Sequence, residues 1–162
     1  MTDSKPSKSA RKRTQLELQQ LGEELIALNE TELASFSLDD RLLKAVRDAS
    51  RIKSRGALRR QKQLIGKLMR DIDPAPIRAE LVRLRADDMR MKRVFAVAEK
   101  WRDRLVAEGE DALASFGAET AVDDAKLRTL LGEMTVAQSD KAEKTLRRQI
   151  FRRVHEILVR IL

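Results

Sequence analysis

The chain has 162 residues, with 34 Lys and Arg against 26 Asp and Glu, a formal net charge of +8 and no cysteine. A disulfide framework and thiolate metal sites are thereby excluded, and a reducing, cytoplasmic setting is expected. Only 3% of the residues are aromatic while 37% are charged, so the residues that pack on pleated surfaces are scarce and helices are favoured.

Residues 1 to 10 are polar and basic, with no apolar core that a secretory signal would need, and are expected to form a disordered arm. From Arg11 the pattern is helical. Leu18, Leu21, Leu25 and Leu28 recur at spacings of three and four and predict a helix to about Asn29. Thr31 to Phe36 reads as a short helical turn. Ser37 or Asp39 can cap the next helix, whose apolar face starts with Leu42, Val46 and Ala49 and resumes after Gly56 as Leu58, Ile65 and Leu68. The change of phase predicts a kink or break at Gly56. Asp73-Pro74-Ala75-Pro76 ends this segment, and Pro76 suits a first helical turn.

A long helix is predicted from Ile77 to about Glu108, with Ile77, Leu81, Leu84, Met91, Phe95, Ala98 and Leu105 along a near-heptad seam and Gly109 as its end. Leu113-Ala114-Ser115-Phe116 then repeats Leu33-Ala34-Ser35-Phe36, and Asp123-Asp124 before Leu127 echoes Asp39-Asp40 before Leu42. The last helix, after Asp140, carries Leu146, Ile150, Val154, Ile157 and Ile161 on one face. The expected organisation is a bundle over 11 to 75, a connecting helix over 76 to 108 shared between bundles, and a second bundle over 109 to 162. The fold class is all-α, with no span near the roughly 20 apolar residues of a membrane helix.

The feature that carries function lies between Asp48 and Asp71, where no acid occurs. Successive helical residues rotate by about 100°, which places Ala57, Leu58, Leu64, Ile65 and Leu68 on one arc and the basic residues on the other. An ordinary solvated helix relieves such repulsion with interspersed Glu. Unrelieved, the ridge implies a polyanionic partner, and Arg51, Arg55, Arg59, Arg60, Lys62, Gln63, Lys67 and Arg70 are its predicted contact residues. Gly66 sits within it, where it either lets a phosphate backbone approach or accommodates a crossing helix. A second cluster, including Arg147, Arg148 and Arg152, lies on the last helix, and a third, Lys5, Lys8, Arg11, Lys12 and Arg13, at the start.

Catalysis has little to stand on. His155 is the only histidine and lies close to an apolar face. Adjacent carboxylates such as Asp39-Asp40, Asp87-Asp88 and Asp123-Asp124 point about 100° apart on a helix, which argues against metal ligation, and two of the three pairs read better as caps. Trp101 reads as core. No phosphate loop, nucleophile elbow or metal-ligand spacing appears, so no enzyme activity, cofactor or small-molecule substrate is expected.

Four segments carry a family resemblance. They are Arg60-Gln61-Lys62-Gln63-Leu64-Ile65-Gly66-Lys67-Leu68-Met69-Arg70-Asp71 with Asp73 and Ile77; Trp101-Arg102-Asp103-Arg104-Leu105; Lys126-Leu127-Arg128-Thr129-Leu130; and Arg148-Gln149-Ile150-Phe151 with Glu156. Over residues 7 to 157 the chain resembles the dual-action ribosomal maturation protein (DarP) family. The resemblance implies an elongated molecule of two three-helix bundles built around long helices. It also implies binding to precursors of the large ribosomal subunit and their ribosomal RNA late in assembly, with maturation of the peptidyl transferase region and no catalysis. Arg153 stands where the family tends to carry an aromatic, and His155 where it tends to carry Arg. A monomer with no membrane partner is the accompanying expectation. Charge alone leaves two other readings open, a DNA-associated structural protein and a coiled-coil scaffold for an acidic partner.

Overall fold

The starts of α1, α2, α3, α7 and α8, whose ranges follow, are each fixed by a side chain that accepts from an otherwise unpaired backbone N–H group. The computed structural model describes residues 7–162; the first six residues of the expected basic arm lie outside them. α1 (Lys8–Ala27) opens where Ser7 Oγ accepts from Ala10 N at 3.2 Å, so helix replaces the expected arm from Lys8 on. Asn29, expected near the end of this helix, instead caps α2 (Glu30–Leu33): its Oδ1 accepts from Glu32 N, and Glu32 Oε2 accepts from Asn29 N, both at 2.9 Å. Asp39 caps α3 (Asp40–Arg51), accepting from Arg41 N at 2.9 Å.

The break after α3 falls at residues 52–54 rather than at Gly56, which lies in the first turn of α4 (Arg55–Leu68). The gap lets α4 pack on both α3 and α1. Gln61 Nε2 secures the fold-back by donating to the carbonyl of Ala45 at 2.9 Å. A 3-10 turn, Met69–Asp71, ends α4. Asp73 Oδ1 then accepts from Ala75 N at 2.9 Å where α5 (Ala75–Glu108) begins.

The chain divides into two compact units on either side of Arg85/Ala86, inside α5. In the first unit Leu18, Leu21 and Leu25 of α1 pack with Leu33, Phe36, Leu42, Val46, Ile65, Met69, Ile77 and Leu81. Leu25, Leu42, Ile65 and Met69 are almost wholly enclosed, and each such side chain contributes about 1.5 to 3 kcal/mol of apolar burial. Helix α1 reaches α4 closely at Gly22, where a Cβ would stand 2.7 Å from Ile65 Cγ2.

In the second unit α5 buries Val94, Ala98, Trp101 and Leu105, while Met91 and Phe95 of the expected seam are exposed. A seven-residue repeat drifts by about 20° per heptad on a straight helix, and the buried arc centres on the Val94 side of Ala98. α6 (Glu110–Thr120) follows Gly109, whose φ of +59° ends α5. The expected short turn around Leu113-Ala114-Ser115-Phe116 is therefore an eleven-residue helix. Leu113 and Phe116 are nonetheless buried as Leu33 and Phe36 are. α7 (Ala125–Thr135) and α8 (Asp140–Ile161) complete the unit, capped by Asp124 and Ser139. On α8, Leu158 joins Leu146, Ile150, Val154 and Ile157 in the core, and Ile161 is exposed.

Asp124 is the one buried charged residue among those described. Its Oδ1 accepts from Leu127 N at 2.8 Å, and its Oδ2 accepts from Arg153 Nε at 2.9 Å, tying the start of α7 to α8. The Arg153 guanidinium, followed by the Leu127 amide, holds the Asp124 carboxyl below the usual carboxylate range. The fold class is all-α. Among the described residues there is no strand, and no helix long and apolar enough to cross a membrane.

Candidate nucleic-acid interface

The sequence of α4, Arg-Gly-Ala-Leu-Arg-Arg-Gln-Lys-Gln-Leu-Ile-Gly-Lys-Leu, contains no acid, so its charge is relieved only by what packs against it. The packed face runs through Leu58, Gln61, Lys62, Ile65, Leu68 and Met69. It corrects the predicted arc at two positions, since Ala57 and Leu64 are exposed. Ile65 chooses the face: it fills the space left by Gly22, and a helix seated there turns Ala57 and Leu64 outward.

Two adjoining hollows between α1 and α4 share Gln19, Lys62 and Gln63. One is lined further by Gln15, Gly66, Lys67 and Arg70, the other by Glu23, Arg55, Leu58 and Arg59. Seven predicted contact residues are thus brought together: Arg55, Arg59, Lys62, Gln63, Gly66, Lys67 and Arg70. Arg51, at the end of α3, and Arg60, on the exposed side of α4, are outside the hollows.

Arg55, Arg59, Lys67 and Arg70 are exposed and have no ion-pair partner among the described residues. Lys62 differs: its ammonium lies 3.2 Å from Glu23, so its charge is already answered. The first turn of α4 carries Arg55, no acid and no side-chain cap, although the positive end of the helix dipole favours negative charge there. The contrast lies on the other side of α1, where Arg78 meets Glu17 at 3.2 Å and Arg85 meets Glu24 at 2.6 Å, and the groove they line is neutralised.

Gly66 borders the unneutralised hollow, and no atom stands within 4 Å of where its Cβ would be. The glycine that accommodates a crossing helix is Gly22. Gln15 and Gln19 were missed in the sequence reading. Their i,i+4 spacing beside Leu18 is the signal that places them at the groove edge.

In the second unit Lys144, Arg147 and Arg148 line a hollow with Phe95, Glu99, Arg102, Asp103 and Phe151, and Arg152 is exposed outside it. Lys8, Arg11, Lys12 and Arg13 are exposed on the first turns of α1. Among the described residues no group of three His, Asp or Glu is placed to hold a metal ion. Asp39 and Asp124 are spent on caps, and Asp88 pairs with Lys92 at 2.7 Å. His155 stacks on Phe151, with ring centroids 5.7 Å apart.

Comparison with known proteins agrees over almost the whole chain. The family model described as dual-action ribosomal maturation protein DarP matches residues 4–155. A protein of that name from Thiobacillus denitrificans is 39% identical over 154 residues, covering 94% of this chain and 87% of the relative. Its namesake from Chromobacterium violaceum is 39% identical over 94% of this chain and 84% of its own length. The Vibrio cholerae protein of the same name is 37% identical over 94% of this chain and 79% of its own length. The four segments singled out in the sequence lie within the matched region apart from Glu156, and the chain belongs to the dual-action ribosomal maturation protein DarP family.

Proposed function

We propose that this chain binds the ribosomal RNA of large-subunit precursors through the groove between α1 and α4 and assists late maturation of the peptidyl transferase region, without catalysing a reaction. The observation that carries the RNA-binding reading is the set of four exposed cations, Arg55, Arg59, Lys67 and Arg70, lining one groove with no ion-pair partner among the described residues. Folded RNA supplies closely spaced phosphates, and each one neutralised releases condensed counterions. Gln15, Gln19 and Gln63 add side-chain amides that can donate to phosphate or ribose oxygens. The ribosomal assignment follows the family and the names of its relatives; the choice of the large subunit follows the resemblance carried by the sequence.

The test is ultraviolet crosslinking of the full chain to purified large-subunit precursors, with both peptide and nucleotide mapped. Adducts are expected on α4 peptides and on large-subunit RNA. Preferential recovery with chromosomal DNA would replace the reading with DNA binding. Particle association that survives nuclease digestion would replace it with scaffolding of an acidic protein.

A further inference from the structure

Aromatic side chains are few here, four Phe and one Trp, and their placement is uneven. Phe36, Phe116 and Trp101 are buried, each at most 9% exposed. Phe95 is 49% exposed, and Phe151 beside it is half-buried. Their rings meet edge to face with centroids 4.9 Å apart, and the His155 ring stacks on Phe151. The only histidine and half of the phenylalanines therefore form one surface cluster, all within the second unit. The core does not require Phe95 there, because Val94 and Ala98 already supply the buried face of α5.

The surroundings of the cluster are charged. Arg102 lies over Phe151, 5.8 Å from the ring centroid, and is itself bound to Asp103 at 2.8 Å, with Glu99 at 3.8 Å. Lys144, Arg147 and Arg148 complete the rim, exposed and without an ion pair among the described residues, so four cations stand against two acids. An aromatic floor inside a positive rim matches the two parts of an unpaired nucleotide: a base with an apolar face, and flanking phosphates. Base stacking on aromatic side chains tolerates any sequence, and basic residues beside it track the backbone. An apolar protein segment would use the floor and leave the surplus cations unanswered.

We infer that the Phe95–Phe151 hollow is a stacking site for an unpaired base in RNA, with Lys144, Arg147 and Arg148 holding the adjoining phosphates. The inference rests on the reading of the chain as an RNA-binding protein, and it assigns the second unit a role distinct from the backbone groove of the first. The first unit grips phosphates whatever their secondary structure. The second selects single-stranded RNA over duplex.

The test uses the full chain with a single-stranded oligouridylate carrying 5-iodouridine and a blunt RNA duplex of equal length. Photolysis is expected to give adducts on Phe95, Phe151 or His155. Replacing Phe95 and Phe151 by Leu keeps apolar bulk but removes the ring faces, and should weaken single-strand binding roughly 5- to 100-fold with duplex binding unchanged. Phe95→Leu alone, at an exposed position, should show part of the loss in a chain that melts normally. Adducts confined to α4, equal single-strand affinity in the Leu variants, or equal losses for single strand and duplex would each overturn the stacking site. Replacing the four α4 cations by Gln in parallel keeps the two readings apart, since that variant should lose duplex and single strand alike. If it loses neither while the Leu variants lose the single strand, the stacking site stands and the α4 groove falls.

Discussion

A Cβ added to Gly22 would stand 2.7 Å from Cγ2 of Ile65, and Ile65 is 1% exposed. This single approach sets how α1 meets α4 and therefore which face of α4 is left to solvent. Gly22→Ala gains up to about 1 kcal/mol of helix propensity. It must also displace a β-branched side chain held stiffly at χ1, and overpacking of this kind typically costs about 1 to 3 kcal/mol. We expect a net loss of stability in urea titrations. In the double variant with Ile65→Ala, the combined loss should fall short of the sum of the single losses. Additive losses would show that the two residues do not share this space.

Gly66 is the opposite case. Nothing lies within 4 Å of its missing side chain, so Gly66→Ala should raise stability by about 0.8 to 1 kcal/mol. If RNA backbone approaches α4 there, the added methyl group should also lower affinity for large-subunit particles. Melts and binding isotherms on the same variant separate the effects. A more stable variant with unchanged affinity would show that the glycine serves neither packing nor binding.

Much of this was legible in the sequence, and the failures share a cause. Ser, Asp and Asn caps act locally, so neighbouring residues alone narrow the caps to Ser37 or Asp39 before α3 and to Asp123-Asp124 before α7, and the hydrogen bonds fall to Asp39 and Asp124. The unneutralised segment from Arg51 to Arg70 needed only counting. Faces were harder, because the burial of Val94 rather than Phe95, or the exposure of Leu64, depends on which neighbour packs against the helix. Leu113-Ala114-Ser115-Phe116 shows the same limit. It buries the same two residues as Leu33-Ala34-Ser35-Phe36 but lies within a helix that runs on to Thr120, beyond its match with the shorter α2. Lys62 looked like the other basic residues until its partner Glu23, on α1, came into view.

Asp124 and Arg153 make an acid-sensitive tie between α7 and α8. The folded carboxyl is held below its ordinary value by Arg153, so its contribution is fully present above about pH 4, the unfolded value, and is lost as pH falls through the folded value. Asp124→Asn keeps an acceptor for Leu127 N but removes the charge facing Arg153. It should cost roughly 1.5 to 3 kcal/mol at neutral pH, the scale of hydrogen bonds to charged groups. The difference between the two proteins should shrink as pH falls below about 4. A gap that stayed constant down to the acid transition would count against the ionised tie.

The central claim is that the α1/α4 groove binds phosphate through cations the fold itself does not need. One protein tests it: the full chain with Arg55→Gln, Arg59→Gln, Lys67→Gln and Arg70→Gln. All four side chains are exposed and unpaired among the described residues, so the thermal midpoint should hold or rise slightly as repulsion is relieved. Co-sedimentation with large-subunit precursors should fall sharply, and the log–log dependence of affinity on salt should become shallower by about 3 units, at roughly 0.7 per lost contact. A variant that melts normally, travels with the particles as before and keeps the parent's salt dependence would contradict the account.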